Sequence, residues 1–176
     1  MLGVGSRFPH FSLKAVKSVE ADDAFITINQ DQYLGKWKLY FFWPKDFTFV
    51  CPTELAGFSK LSDEFKKRDC VILGGSTDSE YVHLAWLQHE GLLANLSYPM
   101  ISDIKRELCQ SLGILDPVEG VAQRATFLVD PENTIRFVSV NDLSVGRNPV
   151  EVLRVLDALQ SKELTPCSWN LGEATL

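Results

Sequence analysis

The sequence predicts an α/β protein in which helices flank a central mixed β-sheet. Two short, continuous apolar runs, residues 38–43 and 70–75, read as strands buried on both faces, with an amphipathic helical stretch between them. Later in the chain, Asp130-Pro131-Glu132-Asn133 has turn chemistry between two apolar segments and predicts an antiparallel hairpin.

The elements follow in order. Lys38 to Trp43 is an aromatic strand stopped by Pro44. A helix is expected from Pro52 to about Arg68, with Leu55, Phe58, Leu61 and Phe65 on one face at spacings of three and four. After the strand at 70–75, Ser79 to about Glu90 reads as a helix carrying Trp86, with Gly91 as its stop signal. Asp103 to about Leu112 is a further helix, closed by Gly113. Residues 124–129 and 134–139 form the hairpin, and Pro149 to about Gln160 is the last helix, with Val152, Val155, Leu156 and Leu159 on its apolar side. Residues 165–176 lack periodicity and read as a tail outside the core, which leaves 1–164 as one domain.

Composition sets the broad class. A chain of 176 residues can bury a sizeable core, and its 45% hydrophobic and 23% charged residues are ordinary for a globular domain. A net charge of −6 argues against nucleic acid or an anionic membrane as partner. Lys66-Lys67-Arg68, the one dense basic cluster, reads as the solvated end of a helix. Residues 1–13 lack a basic segment followed by an apolar one, so no signal peptide is expected, and no apolar stretch reaches the length of a membrane span. The expected location is cytoplasmic, where four cysteines are more often catalytic or buried than bridged.

One cysteine stands out. Cys51 is followed by Pro52, favoured at the first position of a helix, and Glu54 adds negative charge to the first turn. A sulfur so placed faces backbone N–H groups and the positive end of the helix dipole, which favour thiolate over thiol. Thr48, one turn earlier, can offer its hydroxyl to that thiolate or to a substrate oxygen.

Pro44-x-x-x-Thr48-x-x-Cys51 resembles the active-site signature of the peroxiredoxins, and the longer run FFWPKDFTFVCPTE is similar to their alkyl hydroperoxide reductase C branch. The resemblance runs from about Gly5 to the end. It implies a thioredoxin-like fold with an N-terminal extension, and a thiol peroxidase that reduces hydrogen peroxide and alkyl hydroperoxides with no metal or organic cofactor. Cys51 is then the peroxidatic nucleophile and Pro44 the shield of its pocket. Arg124 is the fixed cation beside the sulfur, and Arg147 a second supporting arginine. Spacing alone would leave Arg124 a surface residue at a strand end. Glu54 keeps two readings: an orienting partner of Arg147 or Arg124, or a plain first-turn carboxylate.

The same resemblance makes Cys167 the resolving cysteine, supplied by a partner subunit's tail. The usual tail has its cysteine four residues before a tryptophan. That position here is Thr165, and Cys167 lies two residues before Trp169. A homodimer, associating into a decamer, is implied. So is an external dithiol reductant: thioredoxin, a flavoprotein, or a Cys-x-x-Cys adapter. The Gly-Gly-Leu-Gly insertion and Tyr-Phe helix of members sensitive to overoxidation are not matched here, where residues 116–121 read DPVEGV, and relative resistance is expected. A holdase or peroxide-relay role is the non-enzymatic alternative.

Other chemistries fit less well. The cysteines, with His10, His83 and His89, lack the paired spacings of a zinc site. No histidine signature accompanies Cys51 as a hydrolase would need, and His83 and His89 read as surface or interface residues on a helix. A dithiol exchanger would need a second cysteine close to Cys51, where Pro-Thr-Glu follows instead. Cys70 and Cys109 read as packing residues, with Cys109 as an auxiliary thiol the lesser alternative.

Overall fold

A computed structural model describes residues 1–176, the side chain of Ala21 excepted. The strands are β1 (Ser12–Val16), β2 (Phe25–Asn29), β3 (Trp37–Phe42), β4 (Cys70–Ser76), β5 (Met100–Ser102), β6 (Arg124–Val129) and β7 (Ile135–Asn141). The helices are α1 (Cys51–Lys60), α2 (Ser62–Lys67), α3 (Glu80–His89), α4 (Glu107–Leu112) and α5 (Pro149–Ser161). The seven strands form one sheet in the order β2-β1-β5-β4-β3-β6-β7. β3, β4 and β5 run parallel, while β6 and β7 pair antiparallel as the turn at 130–133 predicts.

Strand alternation splits β3 between two cores. Leu39, Phe41 and Trp43 join Leu55 and Phe58 of α1 and Leu156 of α5. Tyr40 and Phe42 join Phe8, Leu73, Leu108 and Phe127 on the opposite face. Phe41 stacks on Phe58 with ring centroids 4.4 Å apart, and each such buried aromatic contributes about 1.5–3 kcal/mol. Gly74 is required by this packing, because a Cβ there would lie 2.9 Å from Trp43 Cζ3 and 3.0 Å from Phe41 Cζ. These contacts fix the end of β3, from which the segment carrying Thr48 and Cys51 emerges.

Several boundaries differ from the sequence-based expectation. The helix expected over 52–68 is broken at Leu61 (φ −99°, ψ 6°) into α1 and α2. The helix expected from Asp103 begins only at Glu107, because Arg106 is left-handed (φ 63°) and the buried Asp103 carboxylate accepts from Leu108 N (3.2 Å) and Cys109 N (2.7 Å). The hairpin β1–β2 and the three-residue β5 have no counterpart in the sequence-based expectation. The basic cluster is solvated only at Lys66 and Lys67; Arg68 donates to both carboxylate oxygens of Asp157 on α5 and to Glu64. Beyond α5 the chain folds back: Arg154 Nη1 donates to Trp169 O at 2.9 Å, Leu176 N to Leu164 O at 2.8 Å, and Trp169 is buried.

Candidate active site

Cys51 opens α1 and is fully buried. Thr53 N and Glu54 N both turn to Val50 O (3.1 and 3.3 Å), so the donors that reach the sulfur come from side chains rather than from those N–H groups. Thr48 Oγ1 lies 3.0 Å from Cys51 Sγ, and Arg124 Nη1 lies 3.2 Å from it. Thr48 Oγ1 is also 2.9 Å from Lys45 O. Its single hydrogen points to one acceptor at a time, so it turns to the sulfur when the sulfur is a thiolate and to Lys45 O when a thiol proton points back.

Arg124 leaves the start of β6 and crosses beneath α1. Its Nε donates to Leu143 O (2.7 Å) and its Nη1 to Glu54 Oε2 (2.7 Å). Glu54 is held from the other side by Arg147, through N and Nε to Oε1 (3.0 and 2.8 Å) and Nη2 to Oε2 (2.9 Å). Arg147 Nη1 reaches Phe42 O and Ala125 O at 2.8 and 3.0 Å, and its guanidinium lies 5.1 Å from the Phe41 ring centroid. Two guanidinium groups and one carboxylate leave one buried positive charge in excess, which a thiolate at Cys51 neutralises. A buried cysteine with two side-chain donors, one of them a fixed cation, is built to stabilise negative charge on sulfur and on a group reacting with it.

The AhpC/TSA family model matches residues 4–138. The chain belongs to the AhpC/TSA family. It is 54% identical over 184 aligned residues to alkyl hydroperoxide reductase C of Mycobacterium tuberculosis, covering 100% of this chain and 94% of that protein. Peroxiredoxin-1 of Gallus gallus is 39% identical, covering 98% of this chain and 89% of that protein. Among solved structures, Mycobacterium bovis AhpC superposes with a TM-score of 0.89 at 54% identity (97% of this chain, 99% of that one). The reduced 2-Cys peroxiredoxin of Plasmodium vivax does so with 0.91 at 34% identity (98% and 91%). The thioredoxin-like fold implied by the sequence is the fold of these neighbours.

This AhpC/TSA chain brings together Thr48, Cys51, Glu54, Arg124 and Arg147, with Pro44 buried at the end of β3. It does not bring in Cys167, which is exposed in the tail with Ser168 Oγ 3.6 Å from its sulfur. Glu54 links the two arginines, and its burial excludes the alternative of a plain first-turn carboxylate. Cys70 and Cys109 are buried, and burial pushes the Cys70 thiol up to about 12 and raises the Cys109 thiol as well.

A further expectation is corrected. His83 is not a surface residue: it is fully buried, with Nδ1 2.6 Å from Asp46 Oδ2 and Nε2 donating to Ile101 O at 3.1 Å. Asp46 lies two residues before Thr48, and the only sequence signal for it was its place inside the Pro44–Cys51 run. His89 is exposed. Among the described residues, no group of three or more His, Cys, Asp or Glu is arranged to hold a metal ion, and no helix is long and apolar enough to cross a membrane.

Proposed function

We propose that the chain is a thiol peroxidase in which Cys51 is oxidised by hydrogen peroxide or an alkyl hydroperoxide and Cys167 resolves the product. The Cys51 thiolate attacks one peroxide oxygen; the O–O bond breaks, sulfur becomes a sulfenic acid, and the other oxygen leaves as alkoxide or hydroxide and takes up a proton. Arg124 and the Thr48 hydroxyl stabilise the charge as it moves from sulfur to the leaving oxygen, while Pro44 screens the site from water. Cys167 then attacks the sulfenic sulfur, giving a disulfide and water. An external dithiol protein returns both thiols, itself becoming a disulfide.

The observation that carries this reading is the pair of donors on one buried sulfur, Thr48 Oγ1 at 3.0 Å and Arg124 Nη1 at 3.2 Å. The exposed position of Cys167 supports resolution by the tail of a second copy. The reading includes a cytoplasmic dimer that associates into a decamer. Thioredoxin, a flavoprotein and a Cys-x-x-Cys adapter are the reductant classes this reading admits. The test treats reduced protein with one equivalent of peroxide and follows intact mass and non-reducing electrophoresis. A covalent dimer lost in both Cys51→Ser and Cys167→Ser is expected; no peroxide-dependent change at Cys51 would remove the peroxidase reading.

A further inference from the structure

Beside the site lies a charge pair that the mechanism does not use. Lys45 directly follows Pro44, and its Nζ lies 2.8 Å from Glu119 Oε2 in the loop that leads to β6. Each partner adjoins a group in contact with the Cys51 sulfur. Lys45 O is 2.9 Å from Thr48 Oγ1, which is 3.0 Å from Sγ. The Glu119 loop runs on to Arg124, whose Nη1 is 3.2 Å from Sγ. The loop is also braced from its own side. Asp116 Oδ1 accepts from Val118 N (2.9 Å) and Glu119 N (2.8 Å), and Arg106 Nε donates to Gly120 O (2.7 Å). Glu119 therefore meets Lys45 from a fixed backbone.

This pair is not a packing element. Its side chains are 50% and 53% exposed, and an ion pair in that much water contributes little to stability. It acts instead on the field that an incoming reactant meets. Within the site, Arg124 and Arg147 are balanced by Glu54 and the Cys51 thiolate. Outside it, Lys45 is balanced by Glu119, and Asp78 adds a weaker attraction. An uncharged hydroperoxide meets no net charge there. One that carries a carboxylate finds Lys45 already taken.

We propose that Lys45 and Glu119 are specificity-determining residues: Glu119 masks Lys45, and the pair selects uncharged alkyl hydroperoxides over those bearing a carboxylate. The inference rests on the peroxidase reading and concerns only which hydroperoxides reach Cys51. With Glu119 neutralised, the Lys45 ammonium is free to pair with a carboxylate on the reactant. With Lys45 neutralised, Glu119 repels it. The two partners of one contact thus act in opposite directions, which a merely structural contact would not do.

The test uses cumene hydroperoxide bearing a para-carboxylate and its para-carboxamide, which has nearly the same shape and no charge. Stopped-flow measurements on reduced, full-length protein give the second-order rate constant for Cys51 oxidation by each. The ratio, carboxylate over carboxamide, is read for wild type, Glu119→Gln, Lys45→Gln and the double variant. Glu119→Gln is expected to raise the ratio about 3–5-fold and Lys45→Gln to lower it by a similar factor, the effect of one unit charge close by in water. The double variant should return to within about twofold of wild type. Raising the salt from about 20 mM to about 0.5 M should draw the four ratios together, because exposed charges are screened. Ratios unchanged in both single variants, or shifted in the same direction, overturn the proposal while leaving the peroxidase reading in place. A wild type oxidised at Cys51 by hydrogen peroxide but by neither cumene derivative does the same. One inert to all three overturns both.

Discussion

Arg147 grips Glu54 with three donors, its own N and Nε on Oε1 at 3.0 and 2.8 Å and Nη2 on Oε2 at 2.9 Å. This fixes the carboxylate against which Arg124 is oriented, 2.7 Å away and 3.2 Å from the Cys51 sulfur. Replacing Glu54 by Gln keeps the shape and removes the charge between two buried cations. We expect Glu54→Gln to lower kcat/KM for peroxide by about 100-fold and to cost about 3–5 kcal/mol of stability. Steady-state kinetics and chemical denaturation check both, and a kcat/KM within threefold of wild type would break the link from Arg147 to the sulfur.

Thr48 acts on the sulfur through its hydroxyl alone. Thr48→Ser retains that hydroxyl and should stay within about threefold of wild type, whereas Thr48→Val should lose about 10–100-fold in kcat/KM. Equal rates for the two variants would show that the 3.0 Å contact contributes nothing to the reaction.

The four thiols should separate by pH and access. Cys70, pushed up to about 12 by burial, holds roughly one part in ten thousand as thiolate at pH 8. Its raised value means that reactivity grows as pH rises toward 12. Iodoacetamide on the reduced native protein at pH 8 should therefore modify exposed Cys167 and leave Cys70 and Cys109 until the protein is denatured. Peptide mass mapping reads this, and early labelling of Cys70 would contradict its burial.

Arg68 joins α2 to α5 through a two-pronged contact with Asp157, whose side chain is only 10% exposed. Arg68→Ala strands that carboxylate and should cost about 2–3 kcal/mol, a drop of about 4–12 °C in Tm for a chain of this size. Removing both partners in Arg68→Ala/Asp157→Ala should recover part of the loss, and a purely additive double mutant would show the pair uncoupled.

Legibility followed the range of the interactions. Strands β3, β4, β6 and β7 announce themselves because a strand covered on both faces must be apolar along its length, and the turn at 130–133 states its own chemistry. β1 mixes polar and apolar residues in five positions, and β5 has only three; both become strands by pairing with partners distant in sequence, Ser12 with Asn29 and Lys14 with Ser102. The late start of α4 depends on the Asp103 carboxylate reaching back to cap Leu108 and Cys109, which periodicity does not register.

By itself, the sequence singled out Cys51 and its near neighbour Thr48, since Thr48, Cys51 and Pro52 lie within one turn of each other and need only a local backbone conformation. It also determined the α/β layering, because hydrophobic period is a local property. Arg124, 73 residues beyond Cys51, was named beside its sulfur by family resemblance and not by spacing, and the tertiary structure shows the contact; only that structure decided that Glu54 stands between two arginines and that His83 is a buried partner of Asp46 rather than a surface residue. Those contacts join groups whose encounter is set by how the sheet is ordered and what packs across it, and a charged or titratable side chain looks the same in sequence whether it faces water or another buried charge.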